Sequence, residues 1–277
     1  IPAIINIVLD YVFIFILKWG MFGAALATSL GYIVGAVIIL AYLFHPERIL
    51  HVCRVKLSKK SLYLTIRNVG YMCRLGFSSF LCETAIATMM FVGNYVFIRY
   101  LGEDGVAAYS IACYFFPIVF MVYNAIAQSA QPILSYNYGA KCTARVRETF
   151  RLALTTAILC GAGVFLLTWI FSHQIVGMFL DSSYPAYNIA VKGLPLFASG
   201  FVFFGINIVS IGYFQSLERD CLAMIITLLR GFVLILLCFW ILPIIWGSWG
   251  IWLAVPMSEL LTFLFVLVIY WLENRRN

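Results

Sequence analysis

Long apolar runs separated by short polar clusters make up most of the chain. Eight such runs cover about 1–17, 22–44, 70–99, 106–136, 148–171, 187–216, 221–243 and 249–271. None alternates apolar and polar residues with the period of two expected of a half-buried strand. A bilayer core is crossed by roughly 20 apolar helical residues. Only helices and closed barrels satisfy their own backbone polar groups there. The pattern predicts an all-α integral membrane protein with eight transmembrane helices. The third, fourth and sixth runs are longer than a bilayer requires, so their helices must tilt or project beyond lipid.

Composition points the same way. Of 277 residues, 64% are hydrophobic, 17% aromatic and 10% charged. Mean hydropathy is +1.01. So few charges cannot cover the surface of a soluble domain. That excludes soluble enzymes and nucleic-acid-binding proteins, despite a net charge of +7. The basic residues are unevenly placed. Thirteen lie in segments 45–68, 137–151 and 217–220 and in the C-terminal tail, against Lys18, Arg99 and Lys192 at the alternate helix ends. Basic residues concentrate in cytoplasmic loops, where anionic lipids attract them. The alternation predicts a multi-pass protein in contact with membrane lipids, with both ends of this chain in the cytoplasm. Because Ile1 opens directly on an apolar run, with no basic leader before it, the chain is expected to begin inside a longer protein.

Segment 45–68 is the longest polar connection and mixes apolar with basic residues, as in a helix lying on a membrane surface. It divides the chain into two transmembrane helices (1–44), a cytoplasmic linker (45–68) and six further helices (69–277). A weak repeat crosses this boundary. GMFGAALATSLG (20–31) resembles GSWGIWLAVPMS (247–258), aligning Gly23 with Gly250 and Ala27 with Ala254. Helices 1–2 thus correspond to helices 7–8, as if closing an earlier six-helix bundle. Repeated bundles with a polar site near the midplane are characteristic of transporters.

Cysteines are scattered without a CxxC pair, and His45, His51 and His173 form no ligand spacing. No metal site or cofactor is predicted. A nucleophile–base pair at membrane depth is also missing from the sequence pattern, so an enzyme is not expected.

Polar residues within apolar runs carry the functional expectation, because charge in the lipid zone is costly. Asn6 and Asp10 share one helical face, and Thr28 lies early in the next helix. Their hard oxygen atoms suit Na⁺ or a carboxylate that exchanges a proton; the alternative is an Asp bonded to a neighbouring helix end. Glu83 lies among hydroxyl residues and either faces a polar cavity or pairs with Arg230 or Arg74. Glu259 and Arg230 are candidates for a structural ion pair. Asn124, Gln128 and Gln131 recur at i, i+4, i+7. A lipid-facing row of amides would be costly, so it should line an interior, and Asn94 and Asn207 are candidates for the same surface. Pro117, Pro195, Pro243 and Pro256 can kink their spans.

Four segments together resemble one family. They are NIVLD with GAALAT (6–10 and 23–28), LGEDGVAAYSI (101–111), QSAQPILSYNYGAK (128–141) and LPIIWGSWGIWLAVPMSE (242–259). In this order they are similar to the multidrug and toxic compound extrusion (MATE) transporters, in their bacterial multidrug-export branch. The resemblance implies twelve helices in two six-helix lobes, of which this chain looks like helices five to twelve. It implies antiport across the bacterial inner membrane: organic cations and amphipathic drugs leave as Na⁺ or H⁺ enters. It also implies that Asn6, Asp10 and Thr28 belong to the cation site of the first lobe, and that Glu83 corresponds to a functional acid of some relatives. The remaining alternative is a flippase of lipid-linked oligosaccharide or polysaccharide with related architecture.

Overall fold

Every element among the described residues is helical. The computed structural model describes residues 2–44 and 58–276, the side chains of 74, 75, 78 and 273–276 excepted. Residues 45–57 of the expected linker, with His45 and His51, lie outside the described residues, as does the Arg74 side chain. The chain forms two compact units, 1–67 and 68–277.

In the first unit, α1 runs from Pro2 to Ile16, its last six residues wound as a π-helical turn. After Lys18 and Gly20, both at positive φ, α2 covers Gly20–Leu43. Gly23, Ala27, Gly31 and Gly35 recur every fourth residue on the α2 face that meets α1. A Cβ at Gly23, Gly31 or Gly35 would come within about 3.0–3.2 Å of Phe13, Asn6 or Pro2. Small residues bring two apolar helices close enough for dispersion contacts to hold them where water cannot. The outer faces remain apolar and exposed, as at Ile4, Phe15 and Met21.

The next helical stretch, Lys59–Gly139, breaks at Gly102 into α3 (59–101) and α4 (103–139). Gly102 has φ 67 and ψ −156, a conformation essentially confined to glycine. The sequence pattern places this break between 99 and 106. It errs at the other end: α3 begins at Lys59, not near residue 70. Ser58 starts the helix, its Oγ accepting from the Ser61 backbone N–H at 3.2 Å. No helix breaker follows, so residues 59–68, the end of the expected linker, are helical. Then come α5 (Thr143–Ile170), the short α6 (Ser172–Gly177), α7 (Pro185–Ala198) and α8 (Phe201–Ser216). The pattern predicts one span over 187–216. The structure bends it by 41° between α7 and α8, where Gly200 meets the backbone of Pro256. Finally α9 covers Asp220–Trp246, with a π-helical turn at Leu229–Leu234, and α10 covers Ser248–Arg276. Among the described residues, five helices are long and apolar enough to cross a membrane, or six if the α7–α8 pair is one span. The Ser79–Gly139 stretch is one of these five although Gly102 interrupts it, and Pro2–Ile16 is shorter than the length required.

The α9–α10 turn repeats the α1–α2 turn. Gly247 follows Trp246 with φ 57, as Gly20 follows Trp19 with φ 53. Three residues later, Gly250 meets the carbonyl of Leu242, as Gly23 meets that of Phe13. Ala254 and Ala27 are both fully buried. The alignment seen in the sequence is therefore a shared hairpin device. Because a Cβ at position 250 would overlap backbone, Gly250→Ala should lower stability by about 1–3 kcal/mol through overpacking. A thermal-unfolding midpoint equal to that of the parent protein would show that the turn relaxes freely.

The second unit is built on aromatic residues. Phe97 stacks on Tyr109 at 4.3 Å, and Phe116 on Phe204 at 4.7 Å. Tyr123 packs edge-on against Phe204 and its hydroxyl donates to the Phe201 carbonyl at 2.8 Å. Gly161 and Gly205 leave the room for that ring. This core fixes α4, α5 and α8 to one another.

Candidate functional site

Two groups of predicted residues come together, in different units. In the first unit, Asn6 and Asp10 lie one turn apart on α1, both half-buried. Asn6 Nδ2 and Asp10 Oδ1 are shielded from solvent and have no hydrogen-bond partner among the described residues. Buried polar atoms are nearly always paired, so two orphans one turn apart mark a place where a further polar species would be stabilised. Asp10 immediately precedes the π-helical turn of α1, and such turns are frequent at functional positions. Thr28 does not join them. It is exposed, and its hydroxyl donates to the Ala24 carbonyl of its own helix at 3.0 Å.

The second unit holds a cavity of about 160 Å³ between α3, α4 and α8. Glu83, Asn124, Gln128 and Gln131 all line it. The i, i+4, i+7 amides thus line one pocket, Asn124 and Gln131 half-buried and Gln128 exposed. Gln131 Nε2 donates to Gln215 Oε1 at 3.1 Å, closing one side of the cavity. Phe120 supplies an aromatic wall. Glu83 has no ion-pair partner among the described residues. Gln215 and Phe120 are among the lining residues that the sequence analysis does not name. Gln215 is visible as an isolated amide near the end of an apolar run, but its partner is 84 residues away.

Two predicted cavity residues lie elsewhere. Asn94 donates to the Met90 carbonyl of its own helix at 2.9 Å. Asn207 is fully buried. Its amide donates both to Glu259 Oε2 at 2.8 Å and to the Glu259 backbone carbonyl at 2.9 Å. Asn207 faces α10 rather than the cavity because Glu259 needs a donor there. The other carboxylate oxygen accepts from Arg230 at 3.2 Å. Arg230 therefore serves Glu259 and not Glu83. The guanidinium also lies 4.9 Å from the centroid of the Phe204 ring, a cation–π distance. Arg230 and Glu259 are 3% and 4% exposed, so this charge pair is locked inside the helix bundle. Like Asp10, Arg230 adjoins a π-helical turn, lying within that of α9.

The second unit thus holds a buried carboxylate–guanidinium–amide cluster and an amide-lined cavity, and the first a hairpin with orphaned polar atoms. The MatE family model matches residues 79–240. The multidrug export protein MepA of Staphylococcus saprophyticus is 22% identical over 274 residues, covering 99% of this chain and 59% of that protein. Among solved structures, an outward-facing multidrug resistance MATE family transporter of the MOP superfamily matches with a TM-score of 0.84 at 22% identity, over 96% of this chain and 60% of that one. A MOP superfamily transporter from Pyrococcus furiosus, described as having a binding pocket of reversed polarity, matches with a TM-score of 0.85 at 21% identity, over 96% of this chain and 59% of that one. The chain thus spans about three-fifths of the length of the relatives it matches. Those relatives are transporters, not enzymes. With its all-helical fold and its match to the family model over residues 79–240, the chain belongs to the MatE family.

Proposed function

We propose that the protein is a secondary antiporter that exports organic cations and other amphipathic drugs in exchange for Na⁺ or H⁺. The observation that carries this reading is the cavity of the second unit. It joins an unpaired carboxylate, Glu83, to neutral amides and the Phe120 ring. A carboxylate attracts a cation, an aromatic face adds cation–π attraction, and amides adapt to varied hydrogen-bonding groups. That combination suits amphipathic cations. It does not suit an oligosaccharide pyrophosphate, which calls for basic residues, so the flippase reading is not favoured.

In this reading Asn6 and Asp10 bind the coupling ion. Rotation of the Asn6 amide would present Oδ1 in place of Nδ2, giving oxygen donors for Na⁺ or a hydrogen-bond acceptor for a protonated Asp10. Thr28 would join only after rotating away from Ala24. No cofactor is needed, because the ion gradient supplies the driving force. The chain contributes eight transmembrane helices, with Pro2–Ile16 and the two halves divided at Gly102 each counted as a span. Residues 1–44 close a first lobe, 45–68 link the lobes, and 69–277 form the second, with both chain ends on the cytoplasmic side of a bacterial inner membrane. Alternating access follows if drug and ion favour opposite states.

Dye efflux from vesicles under separately imposed Na⁺ and pH gradients tests the reading. Export should rise with one of the two gradients. Glu83→Gln should raise the KM for a cationic dye more than that for a neutral one. Export that ignores both gradients would overturn antiport.

A further inference from the structure

A second cavity, of about 260 Å³, opens between the end of α3, the middle of α7 and the start of α10. It shares no lining residue with the Glu83 cavity, so nothing in the proposed antiport depends on it. Its floor is apolar and rigid. Trp252 is 4% exposed and stands edge-on to Phe97 at 4.8 Å. Gly193 makes that floor possible, because any Cβ there would overlap the Trp252 indole. The rim is polar, with Lys192, Asn188 and Ser248 beside the exposed ring of Trp249. The Lys192 ammonium has no hydrogen bond or ion pair among the described residues.

The position of the cavity identifies its occupant. It lies beside the turns at Gly102 and Gly247, where apolar helices end. Helix ends bearing Trp lie at the level of lipid headgroups. The geometry points to a binding site for the phosphate headgroup of an anionic bilayer phospholipid. A phosphate placed on the rim would meet one full positive charge and the donors of Asn188 and Ser248. The amino end of the long α10 adds a favourable dipole. The glycerol and first acyl carbons would lie on the Trp252 floor, against the aliphatic side chains of Leu101 and Leu196. A net-anionic headgroup is preferred over a zwitterionic one, because it carries no ammonium of its own to offset Lys192.

The test is lipid retention by the full-length chain, purified from bilayers containing equal phosphatidylglycerol and phosphatidylcholine and counted by native mass spectrometry. The parent protein should retain phosphatidylglycerol in preference. Lys192→Gln should weaken that retention about fivefold, the effect of one interfacial basic residue, while Lys192→Arg should restore it. Lys192 is exposed, so its replacement should leave the fold intact. Ser248→Ala gives a second, smaller loss. Equal retention of both lipids, or retention unchanged in Lys192→Gln, would overturn the assignment. Soluble glycerol phosphate is the remaining arm: failure to displace the lipid at millimolar concentration supports a membrane source, and full displacement would instead make this a site for a free phosphate ester.

Discussion

Glu259→Ala should destabilise the protein by about 3–5 kcal/mol, the range for removing one partner of a buried ion pair. The guanidinium of Arg230 presents a fork of donors that matches a carboxylate. Deleting the carboxylate leaves it 97% enclosed with neither water nor an acid to face. Arg230 Nε already has no partner among the described residues, so the side chain cannot compensate from its other edge. Asn207 would lose one of its two bonds to residue 259 and keep the one to the backbone carbonyl. The Phe204 ring offsets part of the loss, about 0.5–2 kcal/mol for a cation–π contact, and cannot replace a carboxylate. Replacing both partners, Arg230→Met with Glu259→Leu, should recover most of the stability, because desolvation is then avoided on both sides. Thermal unfolding in detergent, followed by the fraction remaining monodisperse, measures all three proteins. If the single and double variants melt together, the pair does not couple α9 to α10 as its geometry implies.

Much of this arrangement is legible from the chain, and the limits have identifiable causes. Apolar runs long enough to cross a bilayer reveal the helices because lipid imposes one requirement on all of them. Their ends are harder to read. Residues 59–68 fall within the expected linker, yet no breaker separates them from the helix that follows, and Ser58 caps its start. Lysine and arginine stems lie along a helix while their charges reach water. The bend between α7 and α8 is hidden because both sides are equally apolar. It depends on Gly200 meeting Pro256, a contact between residues far apart in sequence. The cavity shows the same division. Asn124, Gln128 and Gln131 declare their shared face by spacing alone. Asn207 and Gln215 both lie on α8, where spacing cannot say which faces Glu259 and which Gln131. That choice is made by the partner helices.

Asp10→Asn should reduce ion-driven export by about 5–150-fold, the range of a coupling free energy of about 1–3 kcal/mol. The substitution keeps the size of the side chain and removes its negative charge. Asp10 is half-buried with an unpaired Oδ1. No hydrogen bond or ion pair among the described residues requires that charge, so the folded state should be nearly unaffected. The coupling ion, by contrast, depends on it. An ion shifts a conformational equilibrium only by the difference in its affinity for the two states. A neutral amide offers a cation far less attraction than a carboxylate does, in either state, so that difference shrinks. Drug binding in the absence of a gradient should persist, since Glu83 and its amides lie in the other unit. The expected signature is a loss of gradient-driven efflux with equilibrium dye binding and melting temperature unchanged. Asn6→Ala should show the same split to a lesser degree. Thr28→Ala should show almost none unless Thr28 turns away from Ala24, its present acceptor. Should Asp10→Asn export dye at the parental rate under both Na⁺ and pH gradients, the orphaned atoms of α1 have no part in coupling, and the ion must be bound by another acid, with Glu83 the next to be tested.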